Sequence, residues 1–231
     1  MSKDDILGIS EPLPAPEVLE PHRGLLKSYM QQSHALVSLI LRLLNARLGL
    51  PSETLPSKHK FNAVSGDQVR WVYAPPQPFD DRKTALGAHT DFGSVTILFN
   101  RLGGLQVLPP NTDEWCYVKP LKGHAVVNLG DAMVKFTAGI LRSNMHRVSN
   151  PPGEQADSTR MSLVYFARPE DDIILKVLEG SRMIDEKKAQ SNDDAADEEI
   201  TAKDWILRRA LGRRAGGNWD KSGGTERALR S

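Results

Sequence analysis

Cysteine is nearly absent from this chain. Cys116 is the only one among 231 residues. A single thiol cannot build an internal disulfide framework, and its lone presence fits a reducing compartment. Neither sign of charge prevails. Thirty Lys and Arg stand against 29 Asp and Glu, for a net charge of +1. That balance offers no footprint for nucleic acid or for a membrane surface. No apolar run approaches the roughly 20 residues needed to span a bilayer. Residues 1–10 carry acidic side chains where a secretory signal would carry an apolar stretch. A soluble, cytoplasmic protein is therefore expected. No internal repeat is present.

With 39% hydrophobic residues, a chain of this length can bury a sizeable core in one domain or slightly more. Residues 11–21 are proline-rich and read as an extended lead-in. From about Pro21 to Leu48 apolar residues recur at helical spacing, at Leu25, Tyr29, Leu36, Ile40, Leu44 and Leu48, and Gly49 and Pro51 end the run. This stripe is expected to face the core. After a connection over 51–68, short strand candidates occur at 69–73, around His89 to Phe99, and at 105–108, 115–118, 124–129, 145–148 and 160–166. Gly130-Asp131 reads as a turn. Many short strands punctuated by Gly and Pro indicate an all-β sandwich or barrel.

The C-terminal part differs. Residues 190–199 are acidic and poor in apolar side chains, and read as a disordered linker. Thr201 to Asp204 resembles a capping box opening a short helix through Trp205, Leu207 and Leu211. Arg208, Arg209, Arg213 and Arg214 make this helix basic, and a solvated face is the expected reading. Residues 216–231 are polar, glycine-rich and expected to be disordered. The organisation expected is a helical lead-in over 1–68, a β domain over 69–172 and a C-terminal segment over 173–231.

The chemistry concentrates in Ala88-His89-Thr90-Asp91-Phe92-Gly93-Ser94. In an extended strand, residues i and i+2 share a face, so His89 and Asp91 would project together. Two such donors make half of a metal site. A third must come from another strand. His22 and His34 lie on or beside the long helix and His59 in a loop, where a histidine is usually surface or simply satisfied. His124 precedes a strand, and His146 sits inside a strand candidate. Two histidines and one carboxylate on one side of an ion leave open positions opposite, which suits non-haem Fe(II) and oxygen chemistry. A His-x-Asp pair alone recurs by chance, but the residues downstream strengthen the reading. Arg160 and Ser162 share a strand face, and an inward guanidinium in an apolar strand demands an anionic answer. A planar fork plus a hydroxyl is suited to a carboxylate.

Taken in order, Ala88 to Ser94, Leu129-Gly130-Asp131, Ser143-x-x-His146-Arg147-Val148 and Arg160-x-Ser162 resemble the 2-oxoglutarate/Fe(II)-dependent oxygenases, in their isopenicillin N synthase-like branch. The likeness runs from about Val69 to Asp172. It implies a double-stranded β-helix, or jelly roll, mainly β, with the metal between its sheets. It implies that His89, Asp91 and His146 hold Fe(II) and that Arg160 and Ser162 bind the far carboxylate of 2-oxoglutarate. Tyr73 matches a family tyrosine that reaches the same carboxylate, although Tyr73-Ala74-Pro75-Pro76-Gln77-Pro78 is one residue shorter than the family pattern. The implied reaction consumes O2 and 2-oxoglutarate, releases succinate and CO2, and oxidises a small organic molecule of secondary metabolism, by hydroxylation or desaturation.

The family usually carries a further N-terminal segment before the long helix, so the resemblance implies a shortened N-terminal region and an exposed sheet edge. Two rival readings stand beside this one. One is an Fe(II) oxidase of the isopenicillin N synthase type, in which Arg160 and Ser162 grip the substrate's own acid and no 2-oxoglutarate is used. The other is an inactive oxygenase kept as a binding protein.

Overall fold

The computed structural model describes residues 1–11, 13–77, 86–190 and 199–214, without the side chains of 213 and 214. Pro78, most of the acidic linker, the side chains of Arg213 and Arg214 and the tail from 216 lie outside the described residues. Among the described residues, eight strands form two antiparallel four-stranded sheets. The larger sheet has the order β1 (Gln68–Ala74), β8 (Arg160–Ala167), β3 (Val95–Asn100), β6 (Val126–Leu129). The smaller has the order β2 (Leu86–His89), β7 (His146–Val148), β4 (Leu105–Val107), β5 (Cys116–Tyr117). The sheets face each other as a jelly roll, as the motifs imply.

The stretch from His89 to Phe99 is not the single strand expected. β2 ends at His89 in the smaller sheet and β3 begins at Val95 in the larger, and residues 90–94 turn between them. The turn is tight because glycine permits it. A Cβ on Gly93 would lie 2.6 Å from the carbonyl oxygen of Ala167, and one on Gly130 would lie 2.3 Å from that of Gly93. No other side chain fits backbone packed this closely.

β3 is buried on both faces, which explains its continuous apolar run. Val95 and Ile97 join Val69 and Tyr165 beneath the long helix α2 (Arg23–Arg47). Thr96 and Leu98 face the space between the sheets. The helix ends where expected, with Gly49 at φ 65°. Of the expected stripe, Leu48 is buried and Tyr29, Ile40 and Leu44 are half-buried against the core, but the fully buried line along the rest of the helix lies one residue further on. Leu26, Met30, Val37, Leu41 and Leu48 are buried, whereas Leu25 and Leu36 are exposed. The offset arises because the buried face carries polar residues with tertiary partners. Asn45 donates to the carbonyls of Leu50 and Pro51 (3.3 and 2.9 Å) and accepts from the Leu55 N–H at 2.9 Å. His34 lies against Tyr165 and Asp67. The proline-rich lead-in is also less extended than expected, since Glu17–His22 forms a 3₁₀ turn.

Residues 1–3 lie along the start of β1. The Val69 N–H donates to the Met1 carbonyl at 3.0 Å and the Lys3 N–H to that of Asp67 at 2.9 Å. A short helix α1 (Lys3–Leu7) follows, capped by Ser2. The Lys3 ammonium is buried, donating to Ala63 O at 2.8 Å and Ser65 Oγ at 2.7 Å. Two further short helices were not legible in the sequence: α3 (Asp131–Phe136), where a turn is expected, and α4 (Arg182–Ala189). The last helix, α5 (Ala202–Arg214), opens as expected, the Asp204 N–H donating to Thr201 Oγ1 at 3.1 Å. Its basic face is not simply solvated, because Arg209 is fully buried. Among the described residues no helix is long and apolar enough to cross a membrane.

Candidate metal centre

The space between the sheets is a cavity of about 610 Å³, lined from both sides. The larger sheet contributes Arg160, Ser162, Val164 and Phe166 from β8, and Arg70, Val72 and Ala74 from β1. The smaller contributes His89 and His146. These two histidines are direct cross-strand partners of β2 and β7, and their ring centroids lie 4.2 Å apart. Antiparallel pairing thus brings together two residues far apart in sequence. Asp91 reaches them from the turn after β2, not from the strand itself. Glycine-dependent backbone closeness aims it inward where alternation along a strand was expected to do so.

His89, Asp91 and His146 present donor atoms within 4.8 Å of one another. Nδ1 of His89 lies 2.8 Å from the carbonyl of Gly87, and Nδ1 of His146 lies 3.1 Å from that of Asn144. A carbonyl only accepts, so each Nδ1 carries the proton and each Nε2 keeps a lone pair. Those Nε2 atoms face Asp91 Oδ1 at 4.0 and 3.8 Å, beyond hydrogen-bond range. The other carboxylate oxygen, Oδ2, accepts from Thr96 Oγ1 and Asn128 Nδ2, both at 2.7 Å. Burial pushes the Asp91 carboxyl up, but His146, Asn128, Thr96 and His89 outweigh it and hold the pKa below its ordinary value. An ionised carboxylate with one oxygen secured and the other aimed at two imidazole lone pairs fits a divalent transition ion.

Below this group a second layer holds the turn. The Asp131 N–H donates to the Asp91 carbonyl at 2.8 Å. Thr90 Oγ1 donates to Asp131 Oδ2 at 3.1 Å. Arg209 reaches in from α5, 3.4 Å from both Asp131 Oδ2 and Thr90 Oγ1, with its guanidinium carbon 4.8 Å from the Phe92 ring centroid. Trp205 adds a bond from Nε1 to the Phe92 carbonyl at 3.1 Å. Sequence reading assigned no role to Thr96 or Asn128 and placed Arg209 on a solvated face. Asn128 did leave a signal, as a polar residue interrupting Val126-Val127-x-Leu129.

Arg160 and Ser162 point into the same cavity and are both buried. Arg160 Nε donates to the Gly103 carbonyl at 2.9 Å and Nη1 to Ser162 Oγ at 3.3 Å. No carboxylate of the described residues answers it, and burial lowers its pKa. Tyr73 does not join them. It pairs with Met161 on the opposite face of the sheet and is 66% exposed. The inward position opposite Arg160 is Ala74. The alternation of β1 decides this, since one residue of offset changes the face. Of the remaining histidines, His59 is buried between the Leu55 carbonyl and Ser94 Oγ at 2.8 and 2.7 Å. His124 is exposed, with its Nδ1 on the Lys122 carbonyl at 3.0 Å.

A family model described as the 2OG-Fe(II) oxygenase superfamily matches residues 65–169. A 2-oxoglutarate-dependent dioxygenase of Amanita muscaria is 33% identical over 181 residues, covering 74% of this chain and 87% of the relative. The chain belongs to the 2OG-Fe(II) oxygenase superfamily. A 2-oxoglutarate-dependent dioxygenase of Aspergillus fumigatus is 32% identical, over 73% of this chain and 49% of its own length. The chain spans about half the length of most curated relatives it matches. A full-length Neurospora crassa protein, solved in complex with alpha-KG, shares the fold with a TM-score of 0.72 at 23% identity, over 88% of this chain and 61% of that one.

Proposed function

We propose that this chain is an Fe(II)- and 2-oxoglutarate-dependent dioxygenase acting on a small organic molecule. One observation carries the reading. A His-Asp-His donor set and a buried arginine without a carboxylate partner among the described residues share one cavity. In this reading His89, Asp91 and His146 hold the iron, and Arg160 with Ser162 holds the far carboxylate of 2-oxoglutarate. Family membership supports both assignments.

The bound metal and cosubstrate would supply the oxidising power, with succinate and CO2 as co-products. The chain's own residues do the rest. Thr96 and Asn128 fix one oxygen of Asp91, so the other stays aimed at the metal position. The backbone carbonyls of Gly87 and Asn144 fix the histidine tautomers. Arg160, held by Gly103, presents a pre-oriented fork to an incoming acid, which limits the ordering cost of binding. Leu98, Val126, Val164 and Phe166 give the cavity an apolar wall that keeps water from the reacting atoms.

The test is anaerobic titration of the Fe(II) protein with 2-oxoglutarate, followed by aerobic assay for succinate. Saturable binding with the charge-transfer band of a bidentate chelate, and succinate formed on exposure to air, is the expected result. Iron binding without any 2-oxoglutarate binding would replace this reading by the oxidase one, with Arg160 gripping the substrate's own acid. Absence of iron binding would leave only a non-catalytic role.

A further inference from the structure

We infer that the substrate taken by this site is a monocarboxylic acid with a largely apolar body, its carboxylate gripped by Arg70 beside Phe166. The inference deepens the dioxygenase reading and rests on it.

Arg70 stands on β1, on the inner face, paired with Val164. It lines the cavity, and its guanidinium carbon lies 5.5 Å from the Phe166 ring centroid. No carboxylate of the described residues pairs with it. Among the described residues, the Asp, Glu, Lys and Arg side chains lining the cavity are Arg70, Asp91, Arg160 and Arg168. Arg168 is held at the edge of the cavity, where its Nη1 donates to the Gly66 carbonyl, its backbone N–H donates to Asp67 at 2.7 Å, and the nearby Asp67 carboxylate partly offsets its charge. A divalent ion on Asp91 leaves one positive charge. A dicarboxylate on Arg160 leaves one negative charge, and the two cancel. Both histidines are neutral as ligands. Two guanidiniums then remain, and of these Arg168 has the Asp67 carboxylate nearby, whereas Arg70 stands open to a ligand.

A solvated arginine on an edge strand is the plain alternative, and Arg70 is exposed enough to be one. Two observations favour the ligand reading. The side chain is directed into the cavity and rests on an aromatic face that also lines it. It also stands close enough to Arg168 to help lower that group's pKa to about 10, after the larger effect of burial. The Arg168 guanidinium, only partly offset by Asp67, adds positive potential to the same cavity, which favours an anion beside Arg70. The fork geometry of guanidinium suits a carboxylate, and the remaining wall, with Phe92, Leu98, Val126 and Phe166, suits an apolar body.

The experiment uses the Fe(II) protein saturated with 2-oxoglutarate under anaerobic conditions. Binding of benzoate, 3-phenylpropionate and decanoate is measured by calorimetry and by saturation-transfer NMR, each against its own primary amide. At least one acid should bind about tenfold or more tightly than its amide, the size of one lost charge-assisted contact. Arg70→Gln should remove that preference while 2-oxoglutarate still binds, and Arg70→Lys should keep part of it. The inference is overturned if no acid is preferred to its amide in the wild type, or if the preference survives in Arg70→Gln. If 2-oxoglutarate itself does not bind the wild type, the dioxygenase reading fails and this one falls with it.

Discussion

Arg209 on α5 and Asp131 at the start of α3 lie 3.4 Å apart, and neither side chain reaches solvent. Through Thr90 and the backbone of Asp91, this ion pair supports the turn that aims the Asp91 carboxylate at His89 and His146. A helix that reads as a basic, solvated end of the chain is thereby a structural part of the site.

Arg209→Met should destabilise the protein by roughly 3–5 kcal/mol, because it takes the guanidinium away from the buried Asp131 carboxylate. For a chain of this size that is on the order of a 10 °C fall in melting temperature. Adding Asp131→Asn should recover part of the loss, since the stranded charge disappears with it. Thermal melts of the two single variants and the double variant decide the matter. An Arg209→Met protein that melts with the wild type would show that the pair does not anchor α5.

Asp91→Ala should abolish tight iron binding, as the carboxylate is the only anionic member of the donor set. Thr96→Val and Asn128→Leu should each weaken iron about 10- to 100-fold, by releasing the oxygen they hold. Equilibrium dialysis with iron analysis measures all three. Unchanged iron content in Asp91→Ala would refute the site.

Arg160→Met should weaken 2-oxoglutarate binding on the order of a hundred- to several-thousand-fold without loss of iron. Arg160→Lys should restore only part, for want of the fork. Ser162→Ala should cost about 1 kcal/mol, the worth of one hydrogen bond. Tyr73→Phe should leave the affinity unchanged within about twofold, since its hydroxyl is on the other face of the sheet and surface changes are usually small. The same anaerobic titration reads every variant, and a large loss in Tyr73→Phe would contradict the register of β1.

His59 should make the protein acid-labile. Burial lowers its pKa from 6.5 to about 4, with the Leu55 carbonyl and nearby Asp67 and Glu170 opposing only partly. The unfolded chain therefore binds the proton more readily than the folded one. Stability from this group is complete above about pH 6.5 and is lost progressively as pH falls towards 4, by about 3 kcal/mol in all. Denaturant melts at intervals across that window should show the decline, and His59→Gln should be less stable at neutral pH with a shallower dependence. An equally steep decline in the variant would assign it to the carboxylates instead.

Much of the site was legible because its signals are local. His89, Asp91, His146, Arg160 and Ser162 announce themselves by residue type, order and spacing, and Gly49 and Thr201 mark helix ends by backbone chemistry that acts within a few residues. Alternation along β8 put Arg160 and Ser162 on one face, and the structure keeps them there. The strand argument for His89 and Asp91 reached the right pair by the wrong route. Only the pairing of β2 with β7 and the close approach of Gly93 and Gly130 bring the three donors together.

Residue order along the chain sets the chemical inventory and its local geometry: which donors exist, where strands and helices can start and stop, and which pairs share a strand face. Tertiary structure alone decided which face meets which partner. It shifted the buried side of α2 by one residue, because a polar Asn45 and His34 are acceptable inside once distant groups satisfy them. It turned Tyr73 out and Arg70 in, because the pairing of β1 with β8 sets which alternate side chains face the cavity. It buried Arg209, because Asp131, Thr90 and Phe92 together offset the cost of taking a guanidinium out of water. Desolvation and its compensation depend on neighbours far away along the chain, and no local pattern of residues carries that information.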